Sequence, residues 1–254
     1  MDMFDLSGKV AIITGGGGDI GSAFGKALAE AGARVALADL NGQLAKDKAA
    51  ALGAEGLDVI GVEVDVTSEE STRKMADSVV DHFGSVAILV NCAALMKEIP
   101  TYETLAIDRQ WWDRVIAVNL TGPLLCARAV APHMKETGAG KIINITSGGA
   151  FMPSGVYGVT KLGVVSLTAS LAKELGPFKV NVNALAPGHM NTESGDAARG
   201  GSDAMIKALE PAVPLRVLGG PEDLVGTLVY LCSSASDWVT GQNISVDGGW
   251  IMRL

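Results

Sequence analysis

A chain of 254 residues with 48% apolar and 19% charged side chains has the material for one large buried core, which excludes a disordered or fibrous protein. Its formal charge of −8 excludes the basic footprint that nucleic acid or an anionic membrane surface requires. The three cysteines, Cys92, Cys126 and Cys232, are scattered, odd in number and without metal-ligand spacing, so a reducing compartment and no metal site are expected.

The first residues, Met-Asp-Met-Phe-Asp, lack the basic region and apolar core of a signal peptide. No uninterrupted apolar run approaches the ~20 residues of a membrane span. A cytoplasmic location is therefore expected. Apolar runs that read as buried parallel strands recur at Lys9–Thr14, Arg34–Asp39, Leu57–Val64, Val86–Asn91, Lys141–Thr146, Lys179–Leu185 and Asn243–Val246. Helical spacing separates them at Ile20–Ala31, Gln43–Leu52, Glu69–Phe83, Trp111–Met134, Val156–Leu175 and Glu222–Cys232. Strand-helix alternation without a visible linker predicts α/β architecture over residues 1–254, a single doubly wound domain with helices on both faces of a parallel sheet. Such sheets bind ligands at the carboxyl ends of their strands, which selects the loops after Thr14, Asn91, Thr146 and Leu185.

The first of these loops reads Thr14-Gly-Gly-Gly-Gly-Asp-Ile-Gly21. Glycines between a strand and a helix let the backbone approach a diphosphate, whose charge the helix N-terminus favours. Asp39 ends the second strand, eighteen residues past Gly21. A carboxylate there accepts from both ribose hydroxyls and repels a 2′-phosphate, and neither the glycine loop nor Leu40-Asn41 offers a compensating cation. NAD is therefore the expected cofactor, rather than NADP.

Ser147 stands at the end of the fifth strand, and Tyr157 and Lys161 lie four apart on the following helix, sharing a face. A free phenol titrates near 10, too high for a good proton acceptor at neutral pH. A cation ~5 Å away is worth roughly 3 kcal/mol at an effective dielectric of ~20, about two pKa units, so Lys161 is expected to lower the tyrosine toward neutrality. Chance alone produces a Tyr-x-x-x-Lys in roughly one such sequence in seven. The strand-end serine and the nucleotide-binding signature raise it from a solvated helix face to a catalytic site.

Over essentially its whole length the sequence resembles the short-chain dehydrogenase/reductase family. The matching residues are Thr14-Gly-x-x-x-x-x-Gly21, Asp65-Val66, Asn91-Cys-Ala-Ala94, Asn119, Ser147, Tyr157-x-x-x-Lys161, Pro187-Gly188 and Thr192. The resemblance implies a Rossmann-like seven-stranded parallel sheet and a homotetramer, or less often a dimer. It implies Tyr157 as acid/base, Lys161 lowering its pKa and binding the nicotinamide ribose, Ser147 on the substrate oxygen and Asn119 holding a water. It also implies that Gly15, Gly18, Asp19, Ile20, Gly21, Asp39, Asp65, Val66, Asn91, Ala93, Tyr157, Lys161, Pro187, Gly188 and Thr192 hold the cofactor. Asp65 would meet the adenine, Asn91 would line the floor and Thr192 would touch the carboxamide.

Three features depart from the family pattern. Asp19 stands where glycine is usual, and it is expected to point away from the diphosphate and cap its helix. Cys92 replaces a common asparagine and is expected to be a buried, inert side chain. Only nine residues separate Ser147 from Tyr157, which leaves Ser154 as a second candidate for the serine role. The expected pocket wall is Leu95, Met96, Phe151, Met152, Val156, His189, Met190 and Met205, with a substrate loop at about 188–215. Its apolar character suggests a neutral, fairly hydrophobic secondary alcohol or its ketone. His82 and His133 read as helix-end residues, and Trp111 and Trp112 as packing against the core or a partner subunit. The competing readings are an NADP-linked ketone or 3-oxoacyl-thioester reductase, and a catalytically silent NAD-binding regulator.

Overall fold

In the computed structural model, which describes residues 3–198 and 209–252, seven strands form one all-parallel sheet. The strands are β1 (Val10–Thr14), β2 (Arg34–Asp39), β3 (Val59–Glu63), β4 (Ile88–Asn91), β5 (Gly140–Ile145), β6 (Val180–Pro187) and β7 (Asn243–Val246). Their order is β3-β2-β1-β4-β5-β6-β7, so the chain works outward one way from β1, then returns to its other side at β4. The order reverses between β1 and β4, where Thr14 pairs with Asn91, and the loops beyond those two residues part to form a crevice.

Both sheet faces are covered, which is why the central strands read as unbroken apolar runs: every residue of β1 and β4 is buried. One core layer joins Ile12, Leu89 and Ile142 to Met75, Val130 and Leu175. The other joins Ile13, Val90 and Ile143 to Phe24, Leu28 and Leu228. The helices that cover the sheet are α1 (Asp19–Glu30), α2 (Gly42–Ala54), α3 (Glu69–Phe83), α4 (Arg109–Ile116), α5 (Gly122–Thr137), α6 (Gly155–Leu175), a short α7 (Glu193–Ala198) and α8 (Glu222–Cys232). Their ends follow local chemistry. Asn41 accepts from Leu44 N, Ser68 from Ser71 N and Asp108 from Trp111 N, while Gly84 and Gly138 close α3 and α5 in the left-handed conformation.

The single helix expected over Trp111–Met134 is three pieces, because a π-helical turn, Ala117–Thr121, separates α4 from α5. Such turns are frequent at functional sites, and this one carries the buried Asn119. Trp111 and Trp112 are half-buried against a small satellite core of Ile99, Val115 and Val156. By length and composition, Arg109–Thr137 and Gly155–Phe178 are apolar enough to cross a membrane, yet 44% of each apolar window is buried inside the fold.

Candidate active site

The carboxyl ends of β1, β4, β5 and β6 open onto one cleft of about 910 Å³. Its floor is set by Thr14, whose hydroxyl accepts from Cys92 N and Ala93 N at 3.2 and 3.3 Å and so pins the loop after β4 against the first strand. Glycines make the opposite wall. A Cβ on Gly15 would lie 2.8 Å from Ala93 Cα, and one on Gly21 would lie 2.1 Å from Gly15 O. The N-cap of α1 is Gly18, which makes no side-chain cap, so the first-turn N–H groups of a twelve-residue helix are left without a side-chain acceptor beside the cleft. An uncapped helix start in a glycine cradle fits a diphosphate. Asp39 at the end of β2 also borders the cleft; its carboxylate is oriented by Gly17 N and Asn41 N, both at 3.0 Å. Asp65, Val66, Ile20, Pro187, Gly188 and Thr192 complete this half of the lining.

Ser147, Tyr157 and Lys161 meet at the other end. The Ser147 hydroxyl accepts from Gly149 N at 3.0 Å and stands close enough to the Tyr157 phenol to hold its pKa down. Lys161 Nζ lies 5.6 Å from the centroid of the tyrosine ring and donates to Ile145 O at 2.8 Å. Asn119 is buried, and its amide grips one backbone unit: Oδ1 accepts from Leu95 N at 2.7 Å, and Nδ2 donates to Leu95 O at 2.9 Å. It thereby fixes the wall that Leu95 and Met96 present to the cleft. Ser154 does not compete with Ser147, because its hydroxyl is committed to Gly149 O at 2.6 Å. The shortened loop between them folds as a 3-10 turn, Gly148–Phe151, which keeps both serines at the cleft.

Several expectations are corrected. Lys161 does not outweigh burial: Tyr157 is pushed up to about 12, because desolvation of the phenolate exceeds the lowering by the Ser147 hydrogen bond. The same desolvation lowers Lys161 to about 8. Asp19 does not cap its helix. It occupies the first helical position rather than the N-cap, and its carboxylate reaches across the cleft to accept from Glu193 N at 2.8 Å. Asn91 sits behind the floor, donating to Asn144 Oδ1 at 2.8 Å and to Pro123 O at 3.3 Å. The residues after it, Cys92 to Leu95, line the cleft instead. Cys92 is half-buried on the cleft wall rather than enclosed, and desolvation raises its thiol to about 12. Phe151, Met152 and Val156 stand off the cleft: Val156 is core, and Met152 is 42% exposed. His189 and Met190 do line it. Met205 and the middle of the 188–215 segment lie outside the described residues. Thr192 lines the cleft, and its hydroxyl also accepts from Gly195 N at 3.0 Å at the start of α7.

The sequence reading missed Lys97, Tyr102, Arg114, Glu193 and Trp250, all on the cleft. Lys97 Nζ pairs with Glu193 at 2.6 Å, so Asp19 and Lys97 hold the same residue of α7 from two sides. No local spacing announces these contacts, which join residues up to 174 positions apart.

A doubly wound parallel sheet with a glycine cradle fit for a diphosphate at its switch point, and a tyrosine beside a buried lysine on the same cleft, defines a nicotinamide-dependent oxidoreductase. A family model described as enoyl-(acyl carrier protein) reductase matches residues 17–251, and the chain belongs to the short-chain dehydrogenase/reductase family. An uncharacterized oxidoreductase of Mycobacterium tuberculosis is 42% identical over 252 residues, covering 99% of this chain and all of that one. A sorbitol dehydrogenase of Cereibacter sphaeroides is 38% identical, covering 96% of this chain and 98% of its own. The crystal structure of a gluconate 5-dehydrogenase from Burkholderia cenocepacia, in complex with NADP and tartrate, superposes with a TM-score of 0.92 at 34% identity, covering 98% and 97% of the two chains.

Proposed function

We propose that the protein catalyses reversible hydride transfer between NAD(H) and a neutral secondary alcohol or its ketone, with Tyr157 as the acid/base. The observation that carries this reading is the meeting of Ser147, Tyr157 and Lys161 on one cleft, with the Lys161 ammonium 5.6 Å from the centroid of the tyrosine ring. In the oxidation direction, Tyr157 takes the hydroxyl proton while Ser147 donates a hydrogen bond to the same substrate oxygen. Lys161 would bind the nicotinamide ribose beside the phenol, and Asn119 would hold the Leu95 wall and a water leading to Lys161. The nicotinamide, when bound, accepts or returns the hydride. Gly15, Gly18, Ile20, Gly21, Ala93, Asp65, Val66, Pro187, Gly188 and Thr192 would hold the dinucleotide.

Asp39 supports NAD over NADP. A carboxylate oriented by two backbone N–H groups and without an ion-pair partner among the described residues repels a 2′-phosphate. The Burkholderia relative binds NADP, so the comparison of NAD and NADP affinities is the decisive cofactor measurement; tighter NADP binding rejects this assignment. The sorbitol and gluconate names of the relatives favour a hydroxyl-rich alcohol over the fairly hydrophobic one that the methionines suggested. Lys97, Glu98 and Tyr102 at the cleft offer polar contacts for such hydroxyls. The reading includes a cytoplasmic homotetramer and one catalytic domain spanning the chain. A panel of secondary alcohols and polyols with NAD, followed by NADH absorbance, tests it: turnover must appear and must fall at least a thousandfold in Tyr157→Phe with NAD affinity retained. Wild-type protein that binds NAD yet turns over no alcohol would favour the silent regulator instead.

A further inference from the structure

The C-terminal turn of the chain returns to the cleft and delivers Trp250 to its wall. The indole lies on Gly148, the residue after Ser147: a Cβ there would fall 2.6 Å from Cζ3 and 2.8 Å from Cε3. Gly148 has no left-handed backbone to excuse it, so the ring itself is what demands glycine at this position. Trp250 also meets the His189 ring, with centroids 3.9 Å apart and planes tilted by 42°. The wall therefore joins three separate segments: the turn after β5, the loop after β6 and the turn after β7.

This wall is held firmly. Asp247 accepts from Gly249 N and Ile251 N, each at 2.9 Å, and Trp250 N donates to Asp247 O at 3.1 Å. Gly248 and Gly249 take φ of 63° and 88°, and a Cβ on either would strike Val213 or Pro214. Leu215 N donates to Gly248 O at 3.2 Å. Trp250 is thus braced by both ends of the 188–215 segment. An indole has two side-chain torsions and a flat face, so unlike the methionines nearby it does not reshape around a ligand.

We propose that Trp250, seated on Gly148 and in contact with His189, is the specificity-determining wall of the substrate pocket, admitting neutral secondary alcohols with a slim, unbranched arm and rejecting those with a ring or branch on the reacting carbon. The proposal rests on the hydride-transfer reading for where the reacting carbon lies, next to Ser147 and Tyr157. A pocket wall discriminates by the space it denies, and loss of an indole opens room for a ring.

The matched pair 1,2-propanediol and 1-phenyl-1,2-ethanediol differs only in that arm. Trp250→Ala is expected to raise the ratio of kcat/KM for the phenyl over the methyl diol at least tenfold, with NADH affinity unchanged within twofold. Gly148→Ala is expected to move the ratio the same way by displacing the ring, and to add nothing in the Trp250→Ala background. A ratio unchanged within twofold in Trp250→Ala, or additive effects of the two changes, overturns the proposal and leaves the hydride-transfer reading standing. Should the wild type turn over neither diol, calorimetric binding of both to the NAD complex of Tyr157→Phe, with and without Trp250→Ala, replaces the rate ratio. The same tenfold shift in affinity supports the wall, while equal affinities, or no binding of either, reject it.

Discussion

At the scale of single residues, the site is governed by desolvation. Tyr157 is pushed up to about 12 and Lys161 down to about 8, so each group resists the charge that proton transfer asks of it. The Ser147 hydrogen bond lowers the phenol. Alcohol oxidation consumes the phenolate, so its rate should climb with pH into the alkaline range. Ser147→Ala should move the midpoint of that rise upward by about one unit or more, the worth of a hydrogen bond to a charged group; a pH-rate profile with an unmoved midpoint would separate Ser147 from Tyr157. Lys161 gives a stability prediction of opposite tone. Its folded pKa lies below its unfolded one, so below about 8 both states are protonated and the folded state carries the full cost of a buried charge. That cost, roughly 3 kcal/mol, is relieved as pH rises from about 8 to 10.5, because there only the unfolded chain holds the proton. Lys161→Met should therefore be inactive yet more stable by roughly 2 kcal/mol at pH 7 after losing the bond to Ile145 O. The advantage should shrink toward pH 10.5 in denaturant titrations.

At the scale of elements, close approach decides where glycine is needed. A Cβ on Gly61 of β3 would lie 2.4 Å from Lys46 N and 2.6 Å from Ala45 C, inside the backbone of α2. The backbone of a helix has no rotamer with which to yield, so Gly61→Ala should lower the urea midpoint at unchanged m-value, by about 2–3 kcal/mol of stability. The neighbouring glycine loop was legible from sequence, because strand, glycine run and helix are consecutive. Gly61 was not, since nothing beside it in the chain marks the helix that lies over it. The same division explains Asn119. Its side chain was legible as a member of the motif set, but its hydrogen-bond partner, Leu95, lies twenty-four residues away and the π-helical turn that carries it has no local signal.

At the scale of the whole molecule, the apolar faces of the long helices are only partly used. Val159 and Leu162, neighbours on one face of α6, are 48% and 49% exposed. Hydrophobic residues at that spacing on an exposed helix fit burial against a second copy. Light scattering should give four times the 26.1 kDa monomer mass, and Leu162→Glu should reduce it. A wild-type monomer would remove the homotetramer from the reading. The apolar helices that by composition alone pass for membrane spans are in this fold the covering layers of a sheet, with 44% of each apolar window already enclosed.

The sequence by itself determined the strand and helix order and marked the glycine loop, Asp39, Ser147, Tyr157 and Lys161 that meet at one cleft, because each is written in residues adjacent in the chain or spaced by one helical turn. Only the tertiary structure decided that Asp19 reaches to Glu193, that Asn91 faces away from the cleft, and that Trp250 lies against Gly148 on the cleft. Those contacts are set by how far apart the sheet holds its strand ends, a distance that no local pattern encodes. Burial works likewise: the charge on Lys161 is a property of one residue, and its cost is a property of everything packed around it.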